Sequence, residues 1–353
     1  MLPQIYRTGI TAMSRFLPDN FTLMLVATVV LASFFPVSGV AAGYFGLATK
    51  VAIGLLFFLH GARLSRDVVI AGFLHWKLHL TILAATFVLF PIFGLAAGVL
   101  VPAILPPAFY TGILFLCVLP STVQSSIAFT SIAGGNVPAA ICSASASNIF
   151  GMFLTPLLAG VLFSASGHAG FSLDALQSIL LQLLAPFVLG QVLQPWIGDF
   201  IRSKKKILMP VDRGSILMVV YLAFSESVNE GLWKTMSLRD LGVVIAVNIV
   251  LLALVLLTTM YGSRWLGFSK EDEIAITFCG SKKSLASGVP IATVIFAGQN
   301  IGSIVLPLML FHQIQLMACA VIAQRYADAR KKQASEAPVQ SAGDKKAATS
   351  AAG

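Results

Sequence analysis

Charge is what this chain has least of. Asp, Glu, Lys and Arg make up 10% of its 353 residues and only 14 residues are acidic, whereas 57% are hydrophobic and the mean hydropathy is +0.89. That balance exceeds what a soluble domain tolerates and points to a polytopic membrane protein. Only four residues are cysteine. Cys117, Cys142, Cys279 and Cys319 form no C-x-x-C pair and all fall in apolar segments, so a disulfide framework and a zinc site are excluded by spacing. They read as small core residues. The five histidines show no metal-ligand spacing, and only His312 lies deep in an apolar run, where a hydrogen-bonded core histidine is expected. No serine, histidine and acid constellation lies deep in the apolar segments, so neither an enzyme nor a cofactor is expected.

What the chain has is apolar length. Segments able to cross a hydrocarbon core of about 30 Å, which takes roughly 20 helical residues, occur at about 21–37, 44–60, 78–101, 109–133 and 137–163. Five more follow at about 173–197, 211–225, 240–262, 272–297 and 301–324. The expected fold is therefore an all-α membrane protein with ten transmembrane helices.

Lys and Arg are distributed unevenly between alternate connections. With the N-terminus inside, the cytoplasmic segments hold Arg7, Arg15, Arg63, Arg66, Lys77, Arg202, the run Lys204 to Lys206, Arg213, Arg264, Lys270 and the basic tail. Lys234 and Arg239 alone fall outside. Basic residues are retained on the cytoplasmic side, so both termini are expected in the cytoplasm of a plasma or inner cell membrane. Topology accounts for the net charge of +9 without a nucleic acid; the expected partners are the lipid bilayer and a small organic anion. Nothing like a cleavage site follows the first apolar run, which is expected to remain as an anchor.

The two halves echo each other at an offset of about 160 residues, a pattern to seek in transporters. Ala133-Gly134-Gly135-Asn136-Val137 recurs as Ala297-Gly298-Gln299-Asn300-Ile301, and the breaker Pro120-Ser121 as Gly280-Ser281. Leu59 to Ser65 matches Leu222 to Val228, and the span starting near Leu78 matches that near Asp240. Five spans per half is an odd number, so the repeats enter from opposite sides and are inverted. The expected organisation is a cytoplasmic segment over 1–20, repeats over 21–163 and 173–324, and a disordered cytoplasmic tail over 325–353, whose composition cannot bury enough apolar area to order it.

Spans four and nine carry the chemistry. In span four, Pro120 removes a backbone hydrogen bond just before Ser121, Thr122, Gln124, Ser125 and Ser126. Span nine breaks at Gly280-Ser281 and continues with Lys282, Lys283 and Ser284. A charge near a bilayer centre is costly and marks a cavity or a partner, so at least one lysine is expected to point at a cavity. The other is expected on carbonyls freed by the break. Broken helices survive in lipid only where they are buried in protein or line a cavity, and two crossing breaks would offer both free N–H groups and carbonyls. No acid lies deep in a span, so a cation held in the core would have to rely on neutral oxygens such as those of Ser125, Ser126, Ser143, Ser145, Ser147 and Asn148, opposite two positive charges. Lys50, Arg63 and Glu226 read as end-of-span charges, with Glu226 placed to pair with Arg63 across the repeats. Glu271-Asp272-Glu273 suits the first turn of helix nine.

These features, with the run Phe278-Cys279-Gly280-Ser281-Lys282-Lys283-Ser284-Leu285-Ala286, resemble the bile acid sodium symporter superfamily, in the branch of solute carrier family ten member seven and its bacterial homologues. The resemblance covers about residues 10–325. It implies a core domain of spans three to five and eight to ten that moves against a panel of spans one, two, six and seven. In sodium-coupled relatives a Ser-Asn pair follows the first break and a Glu with a Gln flanks the second. Here those positions are Ser125-Ser126, Phe278 and Lys282, so the sodium site is altered and the Lys282 ammonium, with Lys283, is expected to replace the ion. Coupling to sodium, to protons or to neither stays open. The resulting expectation is a symporter-like secondary transporter for an organic anion. The alternative is a non-transporting membrane regulator of ion homeostasis that keeps the transporter fold.

Overall fold

A computed structural model describes residues 20–63, 75–165, 180–297 and 299–336. It is all-helical. The helices are α1 (Asn20–Phe34), α2 (Gly39–Arg63), α3 (Trp76–Leu100), α4 (Pro107–Val118), α5 (Gln124–Ala133) and α6 (Val137–Ala165). After them come α7 (Ala185–Ser203), α8 (Lys205–Asn229), the short α9 (Leu232–Thr235) and α10 (Leu238–Trp265). The chain then runs through α11 (Lys270–Gly280), α12 (Leu285–Ile295) and α13 (Ile301–Glu336). Among the described residues, α2, α3, α6, α8, α10 and α13 are long and apolar enough to cross a membrane. The chain is a multi-pass membrane protein, and its exposed Leu, Val and Phe side chains are those a bilayer covers.

The expected fourth and ninth spans are each two shorter helices. α4 stops at Val118 because Leu119, preceding Pro120, is pushed out of the helical region to φ −75°, ψ 153°. α5 then ends on Gly134 in the left-handed region at φ +76°. α11 stops at Gly280, and Ser284 restarts the chain as the cap of α12, its hydroxyl accepting from Ser287 N at 3.2 Å. Asn136 and Asn300, from the echoed motifs, play the same local part: their side-chain oxygens accept from Ala139 N and Ser303 N at the starts of α6 and α13. The start of the sixth expected span lies outside the described residues, as does Gly298.

Packing falls into two sets. α2 lies along α7 and α1 along α8, while α3 to α6 and α10 to α13 pack among themselves. Backbone proximity explains the first pairing: a Cβ on Gly61 would strike the Phe187 carbonyl, and one on Gly190 the Phe58 carbonyl. The sets meet where α8 touches α12 and α13.

Three expectations change. α13 continues as helix to Glu336, so the expected tail is ordered from 325 that far, as its Ala, Arg and Lys favour helix; 337–353 lie outside the described residues. Arg63 pairs with Asp212 of α8 and not with Glu226, which is exposed. Lys50 is not at a span end, because α2 begins at Gly39 and leaves it midway along the helix, exposed.

Candidate functional site

The helix breaks meet, and the carbonyls that each break frees are satisfied from the other elements around it. Breaking α4 leaves the carbonyls of its last turn without intrahelical donors. Lys283 Nζ donates to Cys117 O at 2.8 Å and Leu119 O at 2.7 Å, and Thr155 Oγ1 donates to Val118 O at 2.7 Å. The same ammonium reaches Thr86 O at 2.7 Å, within the π-helical turn Ala85–Leu89 that widens α3. Breaking α11 is answered by hydroxyls. Ser126 Oγ donates to Phe278 O at 3.1 Å, Ser121 Oγ to Cys279 O at 2.6 Å and Ser281 Oγ to Thr277 O at 2.6 Å.

The extended segments are tied directly as well. Ser284 N donates to Pro120 O at 2.9 Å. Ser121 N donates to Ser147 Oγ at 3.0 Å, and Asn148 Nδ2 to Ser121 O at 2.8 Å. Asn148 Oδ1 in turn accepts from Ser287 Oγ at 3.0 Å, so one amide on α6 bridges both breaks. α6 comes this close because of Gly151, where a Cβ would lie 2.7 Å from Pro120 Cβ. Thr122 Oγ1 hydrogen-bonds the hydroxyls of Ser125 at 2.8 Å and Ser126 at 3.1 Å.

The two lysines have different surroundings, and neither reaches a cavity as expected: both are 0% exposed. Lys283 is held by its three carbonyls, with its ammonium 4.1 Å from the Phe90 ring centroid. Lys282 Nζ has no hydrogen-bond partner among the described residues and sits 3.9 Å from the Phe129 centroid and 5.6 Å from that of Phe278. No carboxylate pairs with either lysine among the described residues. The break segment turns inward because it leaves α11 packed among α10, α5, α3 and α6, so side chains following Gly280 enter the core.

The accessible part of the crossing is neutral. Gln124 is exposed, Ser125, Asn148 and Ser287 are half-buried, and Ser121, Thr122, Ser126, Ser281 and Ser284 are buried. The first turn of α5 begins without a side-chain cap at Val123, which leaves backbone N–H groups beside Gln124 and Ser125. Pro120, Ser121, Thr122, Ser125, Ser126, Gly280, Ser281, Lys283 and Ser284 thus meet at one crossing together with Asn148. Lys282 faces the rings of Phe129 and Phe278, and Gln124 makes no hydrogen bond to the crossing residues among the described residues.

Sequence reasoning missed Gln315. Its amide lies 0% exposed on α13, its Oε1 accepts from Lys283 N at 2.9 Å and its Nε2 donates to Lys283 O at 2.9 Å. His312 Nδ1 lies 2.9 Å from the same Nε2, so this histidine is hydrogen-bonded in the core. A polar amide one turn after His312 in an apolar span was the available signal. Also unforeseen was the role of Glu273, which Arg264, Lys270 and Tyr326 all contact at 2.8–3.0 Å.

The chain matches the SBF-like CPA transporter family over residues 19–328. It is 58% identical over 317 residues to an uncharacterized protein of Pseudomonas aeruginosa, covering 90% of this chain and 95% of that one. It is 52% identical over 308 residues to the putative symporter YfeH of Escherichia coli K12, covering 87% and 92%. It is also 27% identical over 280 residues to the sodium/bile acid cotransporter 7 of Xenopus tropicalis, covering 78% and 80%.

Proposed function

Because the chain belongs to the SBF-like CPA transporter family, a family of membrane transporters and not of enzymes, we propose that it is a secondary transporter for an organic anion whose site is the crossing of α4–α5 with α11–α12. In this reading the chain crosses the membrane ten times in two inverted five-helix repeats, with both termini cytoplasmic. α1, α2, α7 and α8 form the panel against which the remaining helices move in alternating access. The division of packing into two sets and the matching caps of Asn136 and Asn300 support that architecture.

One observation carries the anion: two fully buried ammonium groups stand at the crossing with no carboxylate between them. Uncompensated buried positive charge is costly, and an anion against the N–H groups of α5 and the amide of Gln124 would offset it. Lys50 adds to the argument. It shares a helix face with Gly46 and Gly54, whose Cβ positions lie 3.9 Å from Leu222 of α8 and 4.0 Å from Pro186 of α7. In this reading Lys50, exposed midway along α2, is a basic group at the edge of the α2 face that meets α7 and α8.

The same buried charge disfavours sodium. Ser125 and Ser126 spend their hydroxyls on Thr122 and Phe278 O, and Lys282 stands where the resemblance places a Gln in sodium-coupled relatives. In this reading the Lys283 ammonium is the tethered cation that ties the crossed helices in place of the ion, and Lys282 adds a second positive charge beside it without bonding either helix.

The test is a thermal-shift screen of the purified protein against carboxylated and sulfated organic anions and against sodium, with Lys282→Met and Lys50→Gln in parallel, followed by uptake of the hits into proteoliposomes. Anion stabilisation that weakens in both variants, with uptake of the same anion, is expected. Stabilisation by sodium alone, unchanged in Lys282→Met, would overturn the tethered-cation reading, and anion binding without uptake would favour a regulator over a transporter.

A further inference from the structure

Between α10 and α13, against α11, lies a cavity of about 500 Å³. Ala253, Leu256, Leu257, Met260 and Ile322 form apolar walls. Thr277 also lines it, 1% exposed, with an Oγ1 that has no hydrogen-bond partner among the described residues. Thr49, Thr86 and Thr259 each return a hydrogen bond to the carbonyl four residues back, whereas the buried Thr277 hydroxyl, like that of Thr130, makes none among the described residues.

One end of the cavity is basic. Arg264, Arg325 and Tyr326 line it there. Arg264 and Lys270 share the single carboxylate of Glu273, at 2.9 and 2.8 Å, so that cluster already holds more positive than negative charge. Arg325 is exposed and has no acidic partner among the described residues; Asp328, one turn on, accepts from Gln324 Nε2 instead. On the outer side Leu257, Tyr261, Trp265 and Met317 are 48%, 58%, 88% and 53% exposed, which opens the groove to the hydrocarbon. Tyr261 and Trp265 flank Arg264 on α10, the arrangement of aromatic residues at a membrane interface.

We infer that this groove holds one anionic phospholipid, its phosphate at Arg325 and the Arg264–Tyr326 edge and an acyl chain along the apolar walls. A soluble anion would leave the walls uncovered, and a zwitterionic lipid would bring a second cation to a basic rim. Basic pockets between membrane helices on the cytoplasmic side are suited to such headgroups. The site also touches the transport machinery, because Glu273 joins α10, α11 and α13 through Arg264 and Tyr326, and α11 ends at the Gly280 break. Lipid in the groove would brace the half-helix that carries Phe278 and Cys279 to the crossing.

Native mass spectrometry of the full chain in detergent, titrated with phosphatidylglycerol or phosphatidylcholine, reads lipid and not transport. Preferential retention of one phosphatidylglycerol is expected, unaffected by millimolar inorganic phosphate. Arg325→Gln is expected to weaken it about fivefold, the effect of one basic residue near a headgroup. Leu257→Trp, which fills the groove from its exposed wall, is expected to abolish it with elution volume unchanged. Equal retention of the two lipids, or full retention in both variants, would overturn the proposal; competition by free phosphate would assign the rim to a soluble anion instead.

Discussion

Gln315 and Lys283 are joined through a side-chain amide that acts as a second backbone: Gln315 Oε1 accepts from Lys283 N and Gln315 Nε2 donates to Lys283 O, both at 2.9 Å. The pair closes on a segment that belongs to neither α11 nor α12, so Gln315 supplies partners that helical continuity would have supplied. α13 thereby fixes the position of the Lys283 backbone, and through it that of the ammonium.

Gln315→Leu keeps the volume and removes both partners. A buried donor and acceptor left unpaired cost about 1–3 kcal/mol each, so a drop of several degrees in the unfolding temperature is expected in detergent. Gln315→Glu restores only the acceptor and is expected to be intermediate. Unfolding followed by tryptophan fluorescence checks the order, and a fully stable Gln315→Leu would show that the segment finds other partners.

The neighbouring lysines are expected to respond in opposite ways. Lys283→Met strands three buried carbonyls and is expected to lose about 3–5 kcal/mol or fail to fold. Lys282→Met removes an ammonium without hydrogen bonds from an aromatic surround and is expected to match or exceed wild-type stability. Comparing their melting temperatures at equal expression decides this, and equal losses in both would refute the division of roles.

The α2–α7 contact has no room for a side chain. Gly61→Ala places a methyl group on the Phe187 carbonyl, and the overpacking is expected to cost about 1–3 kcal/mol. Gly214→Ala, with nothing within 4 Å of its Cβ position, is the matched control and should be neutral or slightly stabilising. Both are read from denaturation midpoints.

Much of the site is legible in the amino-acid sequence. Pro120 and Gly280-Ser281 interrupt long apolar runs, and the helices part at those places. The requirement that a buried lysine find carbonyls describes Lys283. Spacing alone pairs Arg63 with Glu226 and makes Glu273 an end-of-helix charge, whereas Arg63 meets Asp212 and Glu273 binds three partners. Pairings across helices depend on how each helix is rotated, which spacing along one chain does not encode. Gln315 escapes notice because a single amide gives no periodic signal.

The membrane class and the places where helices must break are readable from the residues alone. Apolar length and proline geometry act locally, on the residues that carry them. Helix packing sets which lysine is tied to carbonyls and which is left bare beside Phe129, and it lets one amide on α6 bridge both breaks and brings Arg264 and Arg325 to the rim of one groove. Those outcomes depend on distances between residues far apart in the chain, and such distances exist only once helices have packed.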